Sequence, residues 1–156
     1  MEKRLFIDLE LCNRCRECHV ECSYLYHPHN IGITSLRELA AFFLICRRCE
    51  QAPCVTSCPQ EALEKQEDGV LKRYNMRCIG CKSCVYACPF GTIYPETVPY
   101  TLSRCDYCLG RVNGVGPDCV KSCPEKAVQY TEIDESREEN IFLIGDKLAV
   151  RSLPWK

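Results

Sequence analysis

The chain has 156 residues, of which 46% are apolar and 26% charged, with a formal net charge of −1. That balance gives no electrostatic basis for binding nucleic acid or a charged membrane surface. Sixteen residues are cysteine. If those thiols hold metal they are not ordinary core; a large hydrocarbon core is then not expected, and folding would be coupled to metal binding.

In chain order, the first eight residues carry Glu2 and Asp8 and show neither an apolar h-region nor a twin-arginine pair. This is the pattern of a cytoplasmic chain, although a subunit can also be exported attached to a partner that carries the signal. Arg4–Asp8 reads as a strand and leads into Cys12-x2-Cys15-x2-Cys18-x3-Cys22. Ser35-x-x-Glu38 is a capping-box pattern, followed by Leu36, Leu39, Ala40, Phe43 and Leu44 at helical spacing. A short helix is expected over 35–44, though Phe42-Phe43 also suits a strand. The longest apolar run, Leu39–Cys46, is too short to cross a bilayer.

The second group, Cys46-x2-Cys49-x4-Cys54-x3-Cys58, ends in Cys58-Pro59. Ala62 to Tyr74 then reads as a β-hairpin around the turn signal Glu67-Asp68-Gly69. The third group, Cys78-x2-Cys81-x2-Cys84-x3-Cys88, and the fourth, Cys105-x2-Cys108-x10-Cys119-x3-Cys123, also end in Cys-Pro. Short helices are expected to follow the third cysteine of several groups, placing the fourth, at x3, on the next turn. After Cys123 the Cys-Pro-x2-Ala-apolar pattern seen after Cys58 recurs. The tail opens with the acidic stretch Glu135–Glu139, turns apolar at Ile141–Ile144 and reaches Trp155.

This spacing is that of cubane iron–sulfur clusters, which need four thiolates each, so sixteen cysteines imply four [4Fe–4S] clusters. Disulfides fit poorly, because there is no secretory signal and each group crowds its cysteines into a short segment. Zinc ribbons pair two separated Cys-x2-Cys knuckles and need neither a third cysteine at x2 nor a Cys-Pro at x3. In two-cluster ferredoxins the fourth cysteine of a run ligates the other cluster, which holds the two clusters close. Groups two and three, joined by the hairpin, look like one complete module. Group one has a strand before it and group four a strand after it, so each looks like half of a second module. Spacing alone leaves the sequential pairing, one with two and three with four, open.

At these residues the chain resembles the four-cluster ferredoxin-type electron-transfer subunits typified by the B subunit of dimethyl sulfoxide reductase. The resemblance lies in Cys46-Arg-Arg-Cys49-Glu-Gln-Ala-Pro53-Cys54, in Cys78-Ile-Gly-Cys81-Lys-Ser-Cys84-Val-Tyr-Ala-Cys88-Pro-Phe-Gly91, and in Cys105-Asp-Tyr-Cys108 with Cys119-Val-Lys-Ser-Cys123-Pro. It covers about residues 3 to 130. It implies nested pairing. Cys12, Cys15 and Cys18 would take Cys123; Cys105, Cys108 and Cys119 would take Cys22. Cys46, Cys49 and Cys54 would take Cys88; Cys78, Cys81 and Cys84 would take Cys58. The implied fold class is α+β, two bacterial-ferredoxin-like modules with short β-hairpins and short helices wrapped around four [4Fe–4S] clusters. The outer module would hold 1–45 plus 95–130, the inserted one 46–94, and 131–156 would be a tail and candidate docking extension. Some relatives replace one cysteine and hold a [3Fe–4S] cluster; here all sixteen cysteines remain.

The resemblance also implies a non-catalytic subunit. It would relay single electrons between the catalytic subunit of a molybdenum- or tungsten-type oxidoreductase and a ferredoxin, flavin subunit or other carrier. Compactness favours the small subunit of a tungsten aldehyde oxidoreductase, with carbon monoxide dehydrogenase, hydrogenase or formate dehydrogenase partners as alternatives. Clusters near both ends also allow self-association into a longer wire. An iron–sulfur sensor is the rival from another class, but four clusters without an output domain argue against it.

Other residues read more plainly. No ligand is missing, so His19, His27 and His29 are expected at the surface. Gly110, Gly114 and Gly116 sit in the gap of group four without a strand–helix unit, which suits a loop better than a phosphate cradle. Arg47, Arg48, Lys82 and Arg104 stand beside cysteines, where positive charge either raises a cluster's potential or simply meets water. Ile141–Ile144 and Trp155 either dock a partner or cover their own core.

Overall fold

β1 (Lys3–Asp8) opens the chain and runs directly into α1 (Leu9–Arg14), followed by α2 (Gly32–Ile45) and α3 (Pro53–Thr56). Next come β2 (Leu63–Lys65), β3 (Leu71–Arg73), α4 (Ser83–Ala87), α5 (Asp118–Ser122), β4 (Val128–Glu132), β5 (Ile141–Ile144) and β6 (Leu148–Arg151). The structure is a computed structural model that describes residues 2–22, 32–74, 76–93, 105, 108 and 116–153. It is α+β and divides into two compact units: 1–40 with 104–156, and 41–103.

The first unit is built on a four-stranded sheet in the order β4-β1-β6-β5. β1 pairs antiparallel with β4, Ile7 opposite Val128, and parallel with β6, Leu5 opposite Leu148. β5 pairs antiparallel with β6. Strand alternation sends Leu5 and Ile7 to one face and Phe6 to the other. All three are buried, as are Val128, Leu148, Ala149 and Val150. On the Phe6 face, Ile141 and Ala149 pack with Ile133 and Leu143. Asp8 closes β1 and caps α1, accepting from the Glu10 and Leu11 amides at 3.0 and 3.1 Å. Its second oxygen accepts from Arg151 Nη1 at 2.6 Å, which ties β1 to the end of β6.

The second unit has much less regular structure. β2 and β3 form the expected antiparallel hairpin, Leu63 opposite Arg73. Gly69 turns it at φ +79°, a conformation that glycine adopts without steric cost. α3 and α4 are single turns, and among the described residues of this unit the buried apolar ones are Phe43, Ala52, Cys54 and Ala62.

Several expectations change. α2 starts at Gly32, so Ser35 lies within the helix and not at its N-cap position. Ile33, Leu36, Ala40 and Phe43 are its buried stripe, which selects helix over strand at Phe42-Phe43. Residues 131–153 belong to the first unit, β5 and β6 are half of its sheet, and Ile141 and Ile144 are 6% and 3% exposed. Ile141–Ile144 therefore cover their own core and are not a free docking strip, because β6 supplies the neighbour that buries them. Trp155, His27, His29, Arg104, Gly110 and Gly114 lie outside the described residues. Among the described residues no helix is long and apolar enough to cross a membrane.

Candidate metal centres

One piece of local structure is used three times. α3, α4 and α5 carry Cys54, Cys84 and Cys119, and Cys58, Cys88 and Cys123 follow within one turn. Each of these last cysteines is followed by proline, which ends the helical turn. Three residues on, Glu61, Gly91 and Lys126 take positive φ of 48°, 64° and 51°. Their amides donate to the carbonyls of Cys58, Cys88 and Cys123 at 3.4, 3.4 and 3.2 Å. A left-handed residue costs roughly 1 kcal/mol when it is not glycine, yet Glu61 and Lys126 adopt it. The turn reverses the chain and buries the next residue: Ala62, Thr92 and Ala127 are 2%, 8% and 1% exposed. In two of the three turns that buried residue reaches back to sulfur. The Ala62 amide donates to Cys58 Sγ at 3.3 Å, and the Thr92 hydroxyl lies 3.3 Å from Cys88 Sγ.

Positive φ also occurs within the Cys-x2-Cys loops, at Arg48 (51°), Gly80 (68°) and Lys82 (64°), and just before Cys54, at Ala52 (40°). Left-handed residues of this kind turn neighbouring N–H groups toward one side, the backbone arrangement that favours an anionic centre.

No disulfide links any of the sixteen cysteines. In the second unit Cys46, Cys49, Cys54 and Cys88 line one open pocket. Burial pushes the Cys54 thiol up; the Val55 amide opposes this, and Cys46 and Cys88 add to it. Cys84 is raised by burial, lowered by Arg73 and raised by Cys78. Arg73 Nη2 donates to Cys78 Sγ at 3.0 Å, and Lys65 Nζ donates to the Cys49 carbonyl at 2.9 Å. Exposed Cys81 is lowered by the Ser83 hydroxyl, 3.4 Å away, and by the Ser83 amide. At Cys88 burial raises the thiol, but bonds from Thr92, Phe90 and Gly91 outweigh it.

In the first unit groups one and four meet. The Glu21 amide, beside Cys22, donates to the hydroxyl of Ser122, beside Cys123, at 2.8 Å. The Asp8 amide donates to the Ala127 carbonyl at 2.8 Å, so the start of group one lies by the end of group four. Cys12 is pushed up to about 11 by burial, against Arg37, with Cys123, Cys15 and Cys18 adding to the rise. Cys119 is pushed up to about 12 by burial, then by Cys108 and Cys22. Among the described residues no three His, Cys, Asp or Glu side chains converge as they would on one ion. The pocket shows the other arrangement, with thiols around a space, and a four-iron cube holds its ligands farther apart than a single ion does. The donor set and pocket therefore fit [4Fe–4S] clusters.

The other candidates separate clearly. His19 is exposed, 4.0 Å from Glu17, as expected of a surface residue. Arg47 is exposed and lies over the Phe90 ring at 5.6 Å. Gly116, at φ +84°, packs against Tyr130. Sequence reasoning missed Arg73, Arg37, Thr92 and Ser83. Arg73 lies five positions before Cys78 but reaches it through strand register, and its only sequence signal is a cation opposite the residue that follows Ala62.

Comparison with known proteins follows the same lines. The 4Fe-4S dicluster domain matches residues 38–133 and a 4Fe-4S binding domain matches 9–25. The B subunit of the anaerobic dimethyl sulfoxide reductase of Escherichia coli K12 is 34% identical, over 96% of this chain and 80% of that protein. The thiosulfate reductase electron transfer subunit PhsB of Salmonella typhi is 32% identical, over 83% and 75%. AegA of Escherichia coli K12, an oxidoreductase by name, is 34% identical over 83% of this chain, which spans only 22% of its length.

Proposed function

The chain belongs to the 4Fe-4S dicluster proteins typified by the dimethyl sulfoxide reductase B subunit, non-catalytic iron–sulfur subunits, and from that premise we propose that it is a four-cluster relay. Two interlocked ferredoxin-like modules would hold the clusters, groups one and four forming one module and groups two and three the other. The ligand sets are Cys12, Cys15, Cys18 and Cys123; Cys105, Cys108, Cys119 and Cys22; Cys46, Cys49, Cys54 and Cys88; and Cys78, Cys81, Cys84 and Cys58. The observation that carries this is the pocket lined by Cys46, Cys49, Cys54 and Cys88, one complete set drawn from two groups. The influence of Cys123 on Cys12, and of Cys22 on Cys119, supports the sets of the other module.

When bound, the clusters supply reversible one-electron chemistry with no open iron site. The chain's own part is to fix spacing, to place donors on the sulfurs and to present docking surfaces. The partner is the catalytic subunit of a molybdenum- or tungsten-type oxidoreductase, with a ferredoxin, flavin subunit or similar carrier on the other side, in the cytoplasm. The names of the relatives favour a reductase of oxidised sulfur compounds over the tungsten aldehyde enzyme. Co-purification from the native host followed by metal analysis tests the partner. Molybdenum or tungsten in the complex is the expected result, and nickel as the only further metal would contradict it.

A further inference from the structure

On the β2–β3 hairpin, Arg73 brings a guanidinium directly onto a cysteine sulfur, with Nη2 at 3.0 Å from Cys78 Sγ. The hairpin fixes its position closely. Gln66 and Tyr74 amides donate to the Val70 and Ala62 carbonyls at 2.9 and 2.8 Å, above and below the paired residues. Arg73 sits opposite Leu63, and the adjacent Ala62 amide donates to Cys58 Sγ. One end of the hairpin thus holds two sulfurs from different groups, Cys58 through a neutral amide and Cys78 through a cation. Beside it, the Tyr74 hydroxyl donates to Glu64, with Lys72 and Arg77 over its ring at 4.8 and 4.7 Å. This polar shell restrains the strand that carries Arg73.

When Cys78 binds iron, its Sγ is a thiolate, and the contact becomes a charge-assisted bond, roughly twice as strong as a neutral one. Reduction adds negative charge to a cluster and its sulfurs, so such a donor is bound more strongly in the reduced state. Hydrogen bonds to the sulfurs are among the factors that set a cluster's potential. We propose that Arg73 is a tuning residue that raises the reduction potential of the centre held by Cys58, Cys78, Cys81 and Cys84. This rests on the four-cluster reading above. The residue acts through a ligand sulfur and is not catalytic.

The test is an anaerobic redox titration of the full chain with its clusters, followed by EPR, for wild type, Arg73→Gln and Arg73→Lys, with iron counted in each. In Arg73→Gln one midpoint should fall so that reduction of that centre is about tenfold less favourable, about 59 mV for one electron. Iron content and the other midpoints should stay unchanged, and Arg73→Lys, which keeps the charge but not the planar fork, should shift the same midpoint by less. Unchanged midpoints with iron retained would overturn the proposal. If Arg73→Gln loses iron, Arg73→Lys decides: a lowered midpoint supports tuning, and an unmoved midpoint or lost iron makes Arg73 only a structural support. Fewer than about twelve irons in wild type would instead sink the four-cluster reading itself.

Discussion

The two units solve the same problem by different means. The first buries Leu5, Ile7, Val128, Leu148, Ala149 and Val150 in a four-stranded sheet. Among its described residues the second has the last turn of α2, two three-residue strands, two single-turn helices and a much smaller set of buried apolar side chains. A sheet of several strands with a buried face can hold itself together, whereas a lone hairpin is marginal in water. The first unit therefore owns a core that metal supplements, and in the second the clusters must stand in for a core.

Iron removal should separate the two most strongly. After anaerobic chelation, hydrogen exchange should show the amides of β2, β3, α3 and α4 fully exposed, while β1 and β6 stay protected. Equal loss in both units would erase the distinction, since metal binding is then the folding energy of the whole chain.

A smaller effect confined to the first unit is expected from Asp8→Ala, which removes both the α1 cap and the bond to Arg151. Losing a cap costs about 1 kcal/mol. Breaking a buried pair adds to this, discounted here because the Arg151 side chain is 36% exposed. Chemical denaturation should report a loss of about 2–3 kcal/mol, with the iron of the second unit unaffected.

A further effect is one of pH. Cys12 and Cys119 ionise at about 11 and 12 in the folded, metal-free chain, above the ordinary thiol value of 9.0. A folded pKa above the unfolded one favours the protonated fold. That stability is fully present below pH 9.0 and is lost as pH rises through about 11 and 12. Thermal melts of the metal-free chain should decline over that window. The loaded protein should not show this decline, because its thiols have already given up their protons to bind iron.

Much of the architecture was legible because it is written in short repeats. The Cys-Pro-x2-Ala-apolar pattern pointed to the strand after Cys123, found as β4, and Glu67-Asp68-Gly69 marked the hairpin. Arg4–Asp8 was readable as a strand from its own residues. What was hidden depends on distant pairing. β6 is a four-residue run whose identity comes from lying parallel to β1, far away in sequence. The start of α2 was misplaced because Ser35 carries a cap signal that the helix overruns. Group three has Thr92 where groups two and four have alanine, so its hydroxyl on Cys88 stood outside the repeat. Arg73 reaches sulfur only once strand register is known.

The nested arrangement is tested most directly by replacing Cys22 and Cys119 with serine together in the full chain and counting the centres altered, by iron analysis and EPR. Under nested pairing both belong to one set, so one centre is lost or converted and about twelve irons remain in intact cubes. Under sequential pairing they belong to two sets, and two altered centres with only about eight irons in intact cubes would contradict the account.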